Sequence, residues 1–459
     1  MALSSKGVAI TIARTLATFV ANADAAELPA QTLDYATMLI ASTLASAAVG
    51  RDIPSAVVIR ELVQERGGQE EATVWFDKGA KLPTVSAARA NALMSDAAAS
   101  DDSDLRNITH AGTPLTAASL SIAEKTGAAG LDVLAAIVLG YEAAGRIGAS
   151  ITPGFRKRGF HACIIAIFSG AVATARLLKL DAEKMTHTIA LAATSIGGLV
   201  AAGNESVARE YHGGNATMLG MEAAMAAAKG FTAEYRIFEM SGGFCETYGN
   251  QNSEDSASIV AELGHEWDIV TDMAIKLVPG SHFSHTTAEA AAKAARKGNI
   301  APDEVAAIVL SRPGLTKFAE PLHPIDLVGM AHSTAYFLAA GVADRTFGWA
   351  HATQEKIDDP VIHGLIDKAE IGPQPTENVA AYRQGATVVI KTKDGRSFED
   401  TVLVPNGAGC RGIDWADVDI KYRALTPAAL MPEQVEESLK IIHGFRDLPN
   451  ISTLIDQLR

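Results

Sequence analysis

Residues 130–151 read GLDVLAAIVLGYEAAGRIGASI, and this stretch is representative of more than half of the chain. Its apolar side chains recur at the spacing of an α-helix, and glycines lie between the larger side chains. Alanine is the best intrinsic helix former, so the composition alone indicates helix. The many small side chains also indicate that such helices pack closely against their neighbours.

The same pattern extends in both directions from this stretch, up to about residue 276, with Gly or Pro at the joins. The predicted helices cover residues 32–49, 87–99, 114–125, 130–151, 161–178, 182–202 and 215–229, after a first helix that starts near residue 9. The apolar run 8–20 could also be a signal peptide, but Arg14 interrupts it and the helical pattern continues beyond it. We therefore predict that it is the first helix.

The pattern changes after residue 300. Residues 303–312 predict a short strand, and residues 386–391 and 397–404 predict a hairpin whose turn contains Asp394-Gly395. Helical patterns lie between them at 330–340 and 359–368, and helix returns at 426–430 and 432–445. The predicted fold is mainly α: a large all-helical domain formed from both chain ends, 1–277 and 405–459, with an inserted smaller α/β lid domain at 278–404.

Composition excludes several classes of function. A net charge of -14 over 459 residues argues against a general binder of nucleic acid or of anionic membranes. Three widely spaced cysteines without a C-x-x-C pair indicate a reducing, cytoplasmic location and give no template for structural zinc or an iron–sulfur cluster. The sequence contains no Walker loop, no G-x-G-x-x-G after a strand and no G-x-S-x-G elbow, so nucleotide-driven and serine-hydrolase functions have no support.

An acidic cluster precedes a histidine in the first half of the chain. Asp101-Asp102-Ser103-Asp104 is followed by Thr109-His110. A carboxylate within reach of an imidazole can fix its tautomer and support proton transfer. The alternative is that these aspartates only cap a helix N-terminus.

Two further histidines lie beside cations and glycines. The first is His161, which ends the basic run Arg156-Lys157-Arg158-Gly159-Phe160 and enters a predicted helix. The second is His212, which follows Arg209 and precedes Gly213-Gly214 at the start of another predicted helix. A cation at a helix N-terminus suits a carboxylate ligand, although a solvated basic loop is the simpler explanation of the first run.

The last candidates lie where the helical pattern gives way to the mixed one. Lys276 is followed by Pro279-Gly280 and by His282 and His285 at helical spacing. No acidic or cysteine partner stands nearby at ligand spacing, so we predict no metal site. His332 and Tyr336 would share a helix face, where a buried tyrosine is usually a core residue.

The order and spacing of these motifs resemble those of the MmgE/PrpD family, over nearly the whole chain. The matching pieces are Leu28-Pro29, Ala47-Ala48-Val49-Gly50, residues 101–114, Leu139-Gly140-Tyr141-Glu142, Arg146-Ile147-Gly148, Gly159-Phe160-His161, residues 192–198, residues 212–216, Lys276-x-x-Pro279 and His332-Ser333-x-x-Tyr336. Each piece is weak alone, and their order carries the resemblance. Family members include 2-methylcitrate dehydratase, cis-aconitate decarboxylase and iminodisuccinate epimerase.

The resemblance implies roles for individual residues. His110, His161, Lys276, Tyr336 and either Asp101 or Asp102 would be catalytic. Arg209, His212, Lys276 and, at the rim, Arg158 would bind substrate. Arg209 stands where the family usually has lysine, and an arginine is a fixed clamp for carboxylates rather than an acid or base.

The resemblance also implies a reaction class: cofactor-independent proton transfer at a carbon next to a carboxylate of a small di- or tricarboxylate. We expect a dehydratase-type lyase first. An epimerase (isomerase) or a decarboxylase of a cis-aconitate-like acid follows, and a non-catalytic carboxylate-binding protein is the alternative of another class. We expect a homodimer that binds neither nucleic acid nor membrane and uses no cofactor or metal.

Overall fold

The computed structural model describes residues 10–249 and 256–459. The chain divides into two compact units, one made of Met1–Ile275 and Trp415–Arg459 and the other of Lys276–Asp414. Helix accounts for 60% of the residues and strand for 8%, so the protein is mainly α.

The first unit is built mainly on helices, several of which are long and almost fully buried. Its larger helices are α1 (Ile12–Asn22), α2 (Ala30–Gly50), α3 (Pro54–Arg66), α4 (Thr84–Ala97), α5 (Gly112–Thr126), α6 (Gly130–Ile151), α8 (Cys163–Leu177), α9 (Ala182–Ser195), α11 (Ala208–Ala228), α18 (Trp415–Leu425) and α19 (Pro432–His443). The shorter ones are α7 (Gly154–Lys157), α10 (Val200–Glu205), α12 (Asp268–Thr271) and α20 (Ser452–Gln457).

Small residues allow these helices to approach closely. A Cβ added to Gly140 of α6 would lie 2.7 Å from the main-chain oxygen of Ser169 in α8. Among the described residues, α2 and α6 are long and apolar enough to cross a membrane, but 89% of the most apolar stretch of each is buried inside the protein. They are the core helices of this unit.

Two short antiparallel ribbons interrupt the helices in the part of this unit that the structure describes. β1 (Ala72–Thr73) pairs with β2 (Lys81–Leu82), and β3 (Asp102–Asp104) pairs with β4 (Met273–Ile275). In the second ribbon Asp102 lies opposite Ile275, so two segments far apart in sequence meet at the acidic cluster.

The second unit is a four-stranded sheet with helices. Its elements are α13 (His282–Gly298), β5 (Val305–Ser311), α14 (Leu327–His332), α15 (Thr334–Asp344), α16 (Gln354–Ile357), α17 (Pro360–Ile366), β6 (Ala369–Ile371), β7 (Ala386–Thr392) and β8 (Ser397–Val402). The strand order is β6-β5-β7-β8, parallel between β5 and β6 and antiparallel elsewhere. Val305, Ile308, Leu310, Val388 and Ile390 bury one face of the sheet against α13 and α15.

The structure differs from several sequence expectations. Asp102–Asp104 of the acidic cluster form strand β3, which pairs with the distant β4, and the carboxylate of Asp102 also accepts from the amide of Gly112 at the N-terminus of α5, as the capping alternative expected. The predicted helix 182–202 ends at Ser195 and restarts as α10, and residues 209–215 lie within α11 rather than ahead of a helix. Residues 426–430 contain only the 3-10 turn Thr426–Ala428.

Other differences concern the histidine segments and some missed helices. The basic run begins in the short helix α7. His332 ends α14 and Ser333 caps α15, so His332 and Tyr336 do not share one helix face. The helices α3 and α18 were not predicted, since each carries many charged residues.

Candidate functional site

A tight loop returns His110 to the strand that precedes it. The amide of Asp104 donates to the carbonyl of Thr109 (2.8 Å), and Ile108 adopts a positive φ of 56° that reverses the chain. Nδ1 of His110 lies 2.6 Å from the main-chain oxygen of Asp102, so this nitrogen carries the ring proton in the neutral imidazole. Nε2 is then the basic nitrogen.

Asp101 is the carboxylate that accompanies His110. Its Oδ2 lies 3.2 Å from Nδ1 of His110 and accepts a hydrogen bond from the hydroxyl of Thr113 (3.1 Å). Asp101 is fully buried, whereas 18% of the His110 side chain is exposed. A buried carboxylate beside Nδ1 stabilises an imidazolium that forms when Nε2 takes up a proton.

Asp102 has a different environment. Its Oδ1 accepts from the amide of Gly112 (3.0 Å) at the start of α5, and its Oδ2 accepts from the hydroxyl of Tyr141 (3.0 Å). Burial, followed by the charge of Asp102, raises the pKa of Tyr141 well above its usual value. Asp102 therefore anchors α5 to α6, which is a structural task.

Arg209 lies beside a second buried carboxylate, Asp96 of α4. Its Nη2 donates to the main-chain oxygen of Asp96 (2.8 Å), and its Nη1 is 3.7 Å from Oδ1. Burial alone would lower the pKa of Arg209, but the carboxylates of Asp96, Asp101 and Glu210 raise it overall. Arg209 is thus a permanent cation in the electrostatic field of Asp101.

His161 and His212 lie side by side, with ring centroids 4.9 Å apart. Nδ1 of His161 accepts from the amide of Cys163 (3.3 Å), so Nε2 carries the proton in its neutral form. Burial, and then the charges of His212, His110, Arg156 and Arg209, lower the pKa of His161 well below its usual value. Burial also lowers the pKa of His212, with partial opposition from Asp96.

The first unit therefore brings His110, His161, His212, Arg209 and Asp101 into one electrostatically coupled group. In the neutral forms His110 carries its ring proton on Nδ1 and His161 carries it on Nε2. Arg209 adds one fixed cation. Such a group can bind a carboxylate and move a proton to or from its α-carbon.

The three cations ahead of His161 are exposed. Arg156 donates from Nη2 to the main-chain oxygen of Asn107 (3.2 Å), which links α7 to the loop that carries His110. Arg158 lies near enough to Glu246 to contribute to lowering the pKa of that carboxyl.

Lys276 and Tyr336 belong to the second unit. Lys276 directly follows β4 and is 1% exposed. Tyr336 is fully buried and donates its hydroxyl to the main-chain oxygen of His351 (2.9 Å), and burial raises its pKa. This is the environment of a core tyrosine. His282 and His285 have ring centroids 4.5 Å apart at the start of α13.

Sequence reasoning missed Asp96, Tyr141 and Cys163. Asp96 is 3% exposed near the end of the alanine-rich helix α4, and an acidic residue among Ala, Leu and Met was a usable signal. Among the described residues, two groups offer metal ligands within 4.8 Å of one another: His161, Cys163 and His212, and Asp96, Asp101 and His110.

Both halves of the chain match the models of one protein family. The model of the MmgE/PrpD N-terminal domain matches residues 14–256, and that of the MmgE/PrpD C-terminal domain matches residues 279–446. The chain belongs to the MmgE/PrpD family. The resemblance found in the sequence is confirmed.

Individual relatives are similar to this chain at moderate identity. Cis-aconitate decarboxylase of Homo sapiens is 26% identical over 401 residues, which is 84% of this chain and 82% of the relative. The cis-aconitate decarboxylase-like protein oryM of Aspergillus oryzae (strain ATCC 42149 / RIB 40) is 24% identical over 458 residues, 94% of both chains. Cis-aconitate decarboxylase of Aspergillus terreus (strain NIH 2624 / FGSC A1156) is 25% identical over 466 residues, 94% of this chain and 92% of the relative.

Proposed function

We propose that the protein is a cofactor-independent lyase that removes carbon dioxide from a small unsaturated di- or tricarboxylate of the cis-aconitate type. The observation that carries the proposal is the pairing of Asp101 with His110 beside His161 and Arg209 in the first unit. The names of the relatives favour decarboxylation over the dehydration that the sequence motifs suggested first.

The chemistry requires a cation and a proton carrier. When a β,γ-unsaturated carboxylate loses carbon dioxide, the electron pair of the breaking carbon–carbon bond shifts through the double bond to the carbon beside another carboxylate. Arg209 would hold that carboxylate and stabilise the enolate-like charge. A protonated imidazole would then deliver a proton to the carbon, and His110 is suited to this step because Asp101 stabilises its cationic form.

His161 would serve as a neutral partner. Its lowered pKa keeps the ring uncharged at neutral pH, so its Nε2 proton can be donated as a hydrogen bond without a competing positive charge. His212 would line the same pocket for substrate. Lys276 and Tyr336, which the family resemblance also names, remain predicted contributors.

The test is incubation with a panel of acids in deuterated water, followed by NMR. The panel holds cis-aconitate, citrate-type alcohols and amino-dicarboxylates. We expect the protein to release carbon dioxide from cis-aconitate and to place one deuterium on the carbon next to a carboxylate of the product. Formation of an alkene from an alcohol would instead identify a dehydratase, and deuterium uptake without net conversion an epimerase.

The non-catalytic alternative has its own outcome. If no acid in the panel exchanges or reacts and His161→Ala binds the acids as well as the unchanged protein, the enzyme hypothesis fails. Light scattering of the purified protein would test the expected homodimer.

A further inference from the structure

Two histidines and a cysteine form a compact cluster at the start of α8. His161 and Cys163 come from the segment that enters α8, and His212 comes from α11. One ligand atom of each lies within 4.8 Å of the others. Two imidazoles and one thiol are a donor set that Zn²⁺ accepts, with a fourth position open to water or an anion.

The backbone is shaped to admit this cluster. Gly198 passes so close that a Cβ there would lie 2.6 Å from Sγ of Cys163 and 3.4 Å from Nδ1 of His212. On the other side, a Cβ at Gly203 would lie 2.7 Å from Cδ2 of His161. The two glycines therefore leave the three side chains in place without steric overlap.

One donor atom of the cluster is buried and unused. Nδ1 of His212 is shielded from solvent and has no hydrogen-bond partner among the residues that the structure describes. A buried polar atom without a partner destabilises the folded state, and a bound metal ion would remove that cost. This orphaned nitrogen points to a ligand that the cluster can take.

The proton balance of metal binding is simple. A zinc ion that binds the sulfur of Cys163 displaces the thiol proton. Binding one Zn²⁺ at this cluster would therefore release one proton.

We propose that His161, Cys163 and His212 form an inhibitory binding site for Zn²⁺. Nδ1 of His161 now accepts from the amide of Cys163. Coordination at Nδ1 replaces that hydrogen bond, and coordination at Nε2 moves the ring proton to Nδ1. With the ion on Nε2, that nitrogen has no proton to donate to the substrate; with the ion on Nδ1, the ring keeps its Nε2 proton but is tied to the ion and loses its present orientation. The inhibition rests on the proposed function, whereas the binding does not.

Cobalt provides a readout that is independent of activity. Titration of the metal-free protein with Co²⁺ should give a thiolate-to-cobalt charge-transfer band that saturates at one ion per chain. Cys163→Ala should abolish this band, because the only sulfur in the cluster is lost. Cys245→Ala is the matched control: Cys245 is also buried but lies against Ser150, with its Sγ 3.9 Å from the hydroxyl oxygen.

The activity measurement tests inhibition. Zn²⁺ should inhibit the unchanged protein and Cys245→Ala, with recovery on addition of EDTA, and Cys163→Ala should need at least about 10-fold more Zn²⁺. A missing charge-transfer band, or a band that persists in Cys163→Ala, overturns the site. Equal inhibition of Cys163→Ala overturns the inhibitory role. A correct cobalt spectrum in a protein that converts no acid supports the site and refutes the proposed function instead.

Discussion

Oδ2 of the fully buried Asp101 lies 3.2 Å from Nδ1 of His110. The carboxylate also accepts from Thr113, so its position is fixed at the start of α5. Because this charge stabilises the imidazolium form of His110, we expect Asp101→Asn to lower kcat by about 10²–10⁴-fold with a smaller change in KM. Steady-state kinetics on cis-aconitate would measure it, and an unchanged kcat in a folded variant would refute the role.

Asp102 should behave in the opposite way. Its carboxylate binds the amide of Gly112 and the hydroxyl of Tyr141, and replacement by alanine leaves both donors buried without an acceptor. We expect Asp102→Ala to lower the free energy of unfolding by about 3 kcal/mol. Tyr141→Phe, which removes one of the two donors, should cost about 1.5 kcal/mol. Equal denaturation midpoints for Asp102→Ala and the unchanged protein would contradict this assignment.

Two glycines give a matched test of the space around His161. A Cβ at Gly203 would lie 2.7 Å from Cδ2 of His161, whereas a Cβ at Gly197 would meet nothing within 4 Å. We expect Gly203→Ala to displace the ring and lower kcat/KM by about 10²-fold, in line with small displacements of catalytic groups. Gly197→Ala should keep full activity. Similar kinetics for both variants would show that the ring does not need its present position.

The lowered pKa of His161 has a consequence for the pH profile. Burial and neighbouring charges disfavour the protonated form of His161 and lower its pKa. The ring should therefore stop acting as a neutral hydrogen-bond donor only at a pH below the usual histidine range. We therefore expect no loss of kcat/KM attributable to His161 until the pH falls below about 6.5. NMR titration of the ring, assigned with His161→Asn, would test this, and an ordinary pKa would contradict it.

An arginine paired with three buried aspartates next to β3 should make the free energy of unfolding depend on pH. Arg106 lies 3.1 Å from Asp104, 2.8 Å from Asp268 and 3.2 Å from Asp272. Burial raises the pKa of Asp104 and Asp268, although Arg106 opposes the shift. The folded state then holds protons that the unfolded state releases, so this contribution to stability is complete below about pH 4 and is lost as the pH rises through the folded pKa values.

Asp268→Asn removes one of these titrating groups. We expect its melting temperature to fall less between pH 5 and pH 9 than that of the unchanged protein. Thermal melts at several pH values would measure the difference. Parallel pH profiles would mean that Asp268 keeps its ordinary pKa in the folded state.

Local pattern was sufficient for much of the fold. Helix α6 was predicted with its observed bounds, and the β7–β8 hairpin followed from Asp394-Gly395 between two apolar runs. These features depend on the spacing of side chains along a few turns or strand residues, which the sequence displays directly. The mainly-α class was accessible in the same way, whereas the MmgE/PrpD family was reached through a resemblance in the order of motifs along the chain.

The candidate site depended on contacts between distant segments. The sequence named Asp101, His110, His161 and Arg209, but it could not separate Asp101 from Asp102, because only the pairing of β3 with β4 decides where each carboxylate lies. Nor could it place Asp96 against Arg209 or bring His212 close to His161 and Cys163. The sequence by itself determined many of the helices and the residue types of the site. Long-range packing decided which carboxylate faces an imidazole and which one anchors a helix, since burial and hydrogen-bond partners are set by neighbours in space.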